Sequence, residues 1–214
     1  MIEIDENYPG LEKRGECYYY IFNLNIDDDV HITVPLKVGG SLKVGGSLKV
    51  DGSLKVGRSL EVSGSLKVGD WLKVSDWLEV DCWLEVSGSL RVGNWLRVGS
   101  SLKVGVSLKV DDWLRVGGLL KVDYWLRVGN WLEVGDSLEV GEIKTIFGLK
   151  TSSIKIIHGY TYVIYMLDNH IRIGCEIHSK SEWKEFSNKE ILEMDGKSGL
   201  EWWQKNKSWI LEMK

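Results

Sequence analysis

From Leu36 to Val140 two apolar slots recur with a strict period: Leu every six residues, and Val two places after each Leu. Eighteen such hexads follow one another without insertion, and the unit reads [Ser/Trp]-Leu-[Lys/Glu/Arg]-Val-[Gly/Ser/Asp]-x. Residues two apart project from the same side of a strand, so Leu and Val face inward and the charged residue between them faces out. The remaining positions, rich in Gly, Ser, Asp and Asn, suit a tight corner. A six-residue period does not match the helical repeat, and glycine at this frequency costs a helix about 1 kcal/mol each. Leu-x-Val is also too short for a free-standing hairpin strand. The pattern predicts a mainly β fold in which short strands stack on their equivalents one turn below, a parallel β-solenoid.

The regions flanking the array read differently. Residues 1–34 hold the apolar run Cys17-Tyr18-Tyr19-Tyr20-Ile21-Phe22 and the acidic run Asp27-Asp28-Asp29, and are expected to form an N-terminal β cap. Residues 35–142 are the solenoid. Residues 143–214 are expected to form a C-terminal α/β cap, with a hairpin over 160–177 turning at Asp168-Asn169 and helices over about 181–213. Ser187 and Glu190 make a capping box, Gly196 suits the end of that helix, and Ser198 could cap a last one. Acids in the first segment would discourage end-to-end pairing of open strand edges.

Read from Val, the unit Val-[Gly/Ser/Asp]-x-[Ser/Trp]-Leu-[Lys/Glu/Arg] resembles the hexapeptide of left-handed parallel β-helices, which place three hexads in each triangular turn. The aliphatic slot and the small-or-acidic slot after it match, whereas Leu stands where that family has a small residue. A flattened two-hexad turn is the alternative. Three to a turn makes about six turns from eighteen hexads, each rung rising about 4.8 Å. The tail residues Ile171-Arg172-Ile173-Gly174-Cys175, His178, Trp183, Phe186, Met194-Asp195-Gly196 and Trp202-Trp203 are similar to a C-terminal segment of uncharacterised phage and bacterial proteins. Those proteins carry Val-Gly-Gly-Ser-Leu repeats like Val38 to Leu42. The resemblance implies no activity.

An 18-residue turn sorts the outward residues into columns. One places Trp77, Trp95, Trp113 and Trp131 in a ladder, below Ser41 and Ser59 in the same slot. Another is entirely basic: Lys37, Lys55, Lys73, Arg91, Lys109 and Arg127. A slot that accepts both Ser and Trp is not a packed interior position. The ladder is therefore expected at exposed or half-exposed corners, where aromatic patches mark partner surfaces or stack on themselves.

Net charge, −4 over 214 residues, adds little on its own. Residues 1–34 carry 8 acids and 2 bases (−6), whereas residues 35–140 carry 14 bases and 13 acids (+1) and the remainder 11 and 10 (+1). Bulk charge thus implies no nucleic-acid partner. No run approaches the roughly twenty apolar residues of a membrane span, and the acidic N-terminus is unlike a secretory signal. Three distant cysteines, Cys17, Cys82 and Cys175, suit a reducing compartment, so a cytoplasmic address is expected.

Candidate chemistry is sparse. Many hexapeptide-repeat proteins are acyltransferases with a histidine base and a projecting loop. Here no histidine lies between His31 and His158, and no loop interrupts the hexads. An ice-binding face needs threonine, absent between Thr33 and Thr145. His170, Cys175 and His178 amount to half a zinc site, and the corner acids Asp51, Asp81, Asp111 and Asp123 are too irregular for calcium. No metal, cofactor or catalytic set is expected. The leading expectation is a non-enzymatic scaffold using the Trp ladder for self-association or for a protein partner. The alternative is nucleic-acid or polyanion binding by the basic column, with glycan stacking on the ladder a weaker idea.

Overall fold

The computed structural model describes residues 1–147, 149, 154–157 and 161–213, the side chains of 142–145 excepted. The chain divides into two units, Met1–Lys150 and Thr151–Lys214.

The first unit is a parallel β-solenoid with three hexads per turn. Leu48 pairs with Leu66 and Leu66 with Leu84, so each strand stacks in register on the strand eighteen residues away. Three faces result. The basic face runs from Cys17–Tyr20 through Leu36–Val38, Leu54–Val56, Leu72–Val74 and Leu90–Val92 to Ser107–Val110. The ladder face runs from Leu24–Ile26 to Trp131–Val134. A third face starts at Val30–Ile32, and its strand Leu120–Val128 continues round a corner to join the basic face. Every Leu and Val of the two inward slots from Leu36 to Val134 is at most 2% exposed, so the interior is one continuous aliphatic column. At about 25 cal/mol per Å2 this burial dominates the unit's stability.

The corners hold because their backbone donors find acceptors one turn away. The Gly57 N–H donates to Val38 O at 2.8 Å, and the Arg58 N–H to Gly40 O at 3.1 Å. Glycine permits the closest of these approaches: a Cβ at Gly99 would sit 1.9 Å from Asp81 O.

Eighteen strict hexads supply six turns, and residues 18–32 supply a seventh. Tyr18, Leu24 and Val30 pair with Leu36, Leu42 and Leu48, so the segment set apart as an N-terminal cap contains the first turn of the coil. Its three strands keep the apolar-x-apolar alternation and the six-residue spacing without the Leu and Val identities. Two short strands then cover edges. Ile2–Ile4 lies parallel on Val30–Ile32, and Glu12–Arg14 lies antiparallel on Cys17–Tyr20 after a turn at Gly15 (φ 67°).

The second unit is a four-stranded antiparallel sheet, Ile154–Ile157, Ile164–Leu167, His170–Ile173 and Glu176–Ser179, followed by two helices. The sequence reads 171–177 as a single strand. Gly174, at φ 58°, instead reverses the chain, and the segment becomes two strands of a meander. The expected start of the hairpin at Tyr160 lies outside the described residues. Helix α1 spans Lys180–Glu185, and helix α2 spans Asn188–Glu212. Both start on capping boxes, Ser179 with Glu182 and Ser187 with Glu190. Asp195 and Gly196 leave helical geometry, so α2 is two helical segments joined at a kink, the first ending at the glycine as the sequence predicts. Ile164, Ile171, Trp183, Ile191, Trp203 and Ile210 form the centre of this unit's core.

Candidate functional site

The inward slots of the three solenoid faces are chemically alike, so any functional difference lies in the outward slots. On the basic face Lys37, Lys55, Lys73, Arg91, Lys109 and Arg127 stand in register, each opposite the next on the neighbouring strand. The strand spacing sets them about 4.8 Å apart along the axis. Like charges placed directly opposite are destabilising. Lys55 records this: Lys37, then burial, then Lys73 hold its ammonium below the usual lysine range.

The other two faces neutralise most of their own charges, with Lys103 on the third face left unpaired among the described residues. On the ladder face Lys43 meets Glu61 at 2.6 Å, Arg97 meets Glu79, and Arg115 meets Glu133 at 3.4 Å. On the third face Lys67 meets Glu85 at 3.6 Å and Lys121 meets Glu139 at 2.7 Å. Its Lys49 and His31 both reach Asp51. Among the described residues, Asp111 alone pairs with the six cations of the basic face, 3.8 Å from Arg91 and 2.7 Å from Lys109, and Glu12 pairs with Arg14 at the N-terminal end, at 2.6 Å. Among the described residues Lys37, Lys55 and Lys73 have no acidic partner.

A second outward column runs beside the cations on the same face: Ser53, Trp71, Ser89, Ser107 and Trp125 precede the successive Leu residues. Ser89 and Ser107 share a hydrogen bond at 2.9 Å, and the Ser53 hydroxyl donates to Asp70 at 2.5 Å. Trp71 is 40% exposed next to Lys73 in sequence register. At the N-terminal end Tyr19 continues the cation column, with Lys37 4.8 Å and Arg14 5.2 Å from its ring centre. Lys13 lies 5.3 Å over Tyr18. The sequence reading passed over this extension. Its signal is the Lys13-Arg14 pair just before a Gly turn, which folds two cations back onto the tyrosine strand.

The Trp ladder occupies the neighbouring face. Trp77 and Trp95 stack with centroids 4.9 Å apart and planes 5° from parallel, and Trp95 and Trp113 at 5.1 Å and 9°. Ring spacing follows rung spacing, which is why identical residues in one column can stack. These three rings are half-buried, whereas Trp131, in register beyond Trp113, is 38% exposed. Below them Ser41 and Ser59 share a hydrogen bond at 2.9 Å, so each segment of the column pairs like with like.

No protein-family profile, curated protein or solved structure matches this chain. Its function must therefore be argued from these surfaces.

His178 contacts Glu176 at 3.2 Å and lies edge-on to Trp183 and Phe186. Cys175 is exposed. Among the described residues no three His, Cys, Asp or Glu side chains are grouped to hold a metal. None of the described helices is long and apolar enough to cross a membrane.

Proposed function

We propose that this chain is a non-enzymatic binding scaffold whose basic face takes an extended polyanion, a single-stranded nucleic acid first of all. One observation carries the reading: Lys37, Lys55 and Lys73 stack in register without acidic partners, while the other two faces of the same coil pair off most of their charges, Lys103 excepted. A bound polyanion would offset the mutual repulsion that depresses Lys55 and would release its own counterions. Trp71, exposed beside the column, suits base stacking, which is how sequence-tolerant single-strand binders supplement charge. The repeat chemistry also favours a left-handed hexapeptide coil akin to the phage and bacterial Val-Gly-Gly-Ser-Leu proteins. Free cysteines support a reducing, cytoplasmic setting.

The test is a salt titration of oligonucleotide binding. Six cations on a single strand predict a slope of about −4 in log K against log salt. Lys55→Glu, Lys73→Glu and Arg91→Glu together should lose about a hundredfold or more at low salt. The same reversal on the ladder face, at Lys43, Arg97 and Arg115, should change binding by less than about threefold. No binding at low salt, or equal loss from both triple variants, would overturn the reading.

A second reading, protein or self-association through Trp77, Trp95, Trp113 and Trp131, is favoured by the 38% exposure of Trp131, in register with the stacked rings. It predicts a solution mass above 24.3 kDa by light scattering. Replacing all four Trp with Ser should return that mass to the monomer, and no change in association would remove the ladder from consideration.

A further inference from the structure

The second unit contains an apolar cavity of about 70 Å3 beneath the kink of α2. Tyr162, Trp183, Trp202 and Trp203 contribute aromatic walls, and Glu176 and Asp195 contribute carboxylates. We propose that this cavity binds a small organic cation, an alkylated ammonium head group. The proposal is independent of the polyanion reading, because it uses none of the solenoid.

Four observations support it. The lining is aromatic and acidic, and among the described residues it includes no Lys, Arg or His. Aromatic faces attract cations through their quadrupole, more strongly where water is excluded. Its size falls well short of the roughly 300–1,000 Å3 of a drug-sized pocket, so it suits a head group. The walls are held in place: Tyr162 lies edge-on to Trp202 at 4.8 Å and donates its hydroxyl to Asp195. That hydrogen bond, then burial and the Asp195 charge, push the Tyr162 phenol up to about 12, so the phenol stays a donor to Asp195.

Two glycines make the geometry possible. A Cβ at Gly174 would come within 3.2 Å of the Tyr162 ring, and one at Gly199 within 2.8 Å of Asp195 Cβ. Gly174 also holds φ 58°, which disfavours other residues. The same aromatic cluster already hosts one cation, because the Lys207 ammonium lies 5.8 Å over the Trp203 ring.

The experiment is calorimetric titration of the full chain with tetramethylammonium chloride, against sodium chloride as blank, and with tert-butyl alcohol, a neutral isostere of the same shape and heavy-atom count. Saturable binding of the cation is expected, with the isostere at least tenfold weaker. Trp202→Leu should lose at least tenfold. Asp195→Asn, which keeps an oxygen to accept from Tyr162 but removes the charge, should weaken binding severalfold. Equal binding of cation and isostere would mean that the cavity reads size alone and would overturn the proposal. So would an absence of saturable binding, or a full response in Trp202→Leu. Because the isostere comparison uses the unaltered protein, the proposal stays testable even if a variant misfolds. Charge reversal on the basic face should leave this titration unchanged, so the two readings fail separately.

Discussion

The basic face and the ladder face are built from the same hexad, bury the same Leu and Val, and share corner hydrogen bonding. They differ in what stands opposite what. On the ladder face a charge meets its opposite one rung away, as Lys43 meets Glu61 and Arg115 meets Glu133. On the basic face Lys55 meets Lys37 and Lys73. The difference shows that a coil of this kind separates two tasks. Inward slots supply stability and stay apolar, whereas outward slots are free to be neutral and inert or charged and unsatisfied. A surface left unsatisfied against a neighbouring surface that is not is the better candidate for a contact.

If the comparison concerns outward slots alone, the two cores must respond alike. Leu72→Ala on the basic face and Leu78→Ala on the ladder face, both at most 1% exposed, should each cost about 2–5 kcal/mol in denaturant unfolding. A clear inequality between them would break the comparison at its base. Next comes the ladder itself. Trp95→Ser removes two ring stacks, each worth about 0.5–1.5 kcal/mol, and should destabilise by about 1–3 kcal/mol. Trp71→Ser, half-exposed on the basic face, should cost less than about 0.5 kcal/mol. That contrast would make the stacked rings structural and the exposed ring available.

Smaller effects test the charges directly. Lys55→Glu places an acid between Lys37 and Lys73 and should stabilise the coil by about 0.2–1 kcal/mol, while weakening oligonucleotide binding. Opposite signs in the two assays mark a residue kept for contact at some cost to folding. The alkaline limb of the stability curve should separate the faces further. Lys55 titrates below its unfolded value of 10.5, so in this window the unfolded chain holds more protons and its contribution rises with pH. Lys43 and Lys121 titrate above that value, through Glu61 and Glu139, so their support is present below it and fades as pH climbs through the folded value. Melting temperatures from pH 9 to 11 should therefore fall less steeply in Lys43→Ala than in the parent. They should rise less, or fall more, in Lys55→Ala.

Much of this was legible in the sequence. The strict recurrence of Leu and Val identified strands, corners and a coil, and the sorting of Trp into one column favoured three hexads per turn. The structure adds a turn that identity could not reveal. Tyr18-x-Tyr20, Leu24-x-Ile26 and Val30-x-Ile32 keep the alternation but not the residues, so only a search on hydropathy rather than on Leu and Val would find them. The contrast in ion pairing was within reach, because it follows from residues eighteen apart once the turn is known. The meander was not. It depends on Gly174 adopting positive φ, and a glycine between apolar residues reads equally as part of a strand. Nor was the cavity, whose walls Tyr162, Trp183 and Trp202 come from a loop and two helices with no shared spacing.

The 18-residue register has a consequence for how the array can change length. Removal of one hexad, for example 57–62, would rotate everything downstream by a third of a turn. The column now reading Lys37, Lys55, Lys73, Arg91, Lys109, Arg127 would become Lys37, Lys55, Glu79, Arg97, Arg115, Glu133. The core would not notice, since Leu still follows Leu, yet the surface would be dealt out anew. Loss or gain of eighteen residues would only shorten or lengthen each column. Copy number in this array therefore acts as a phase, with whole turns silent and fractional turns exchanging one face's chemistry for another's.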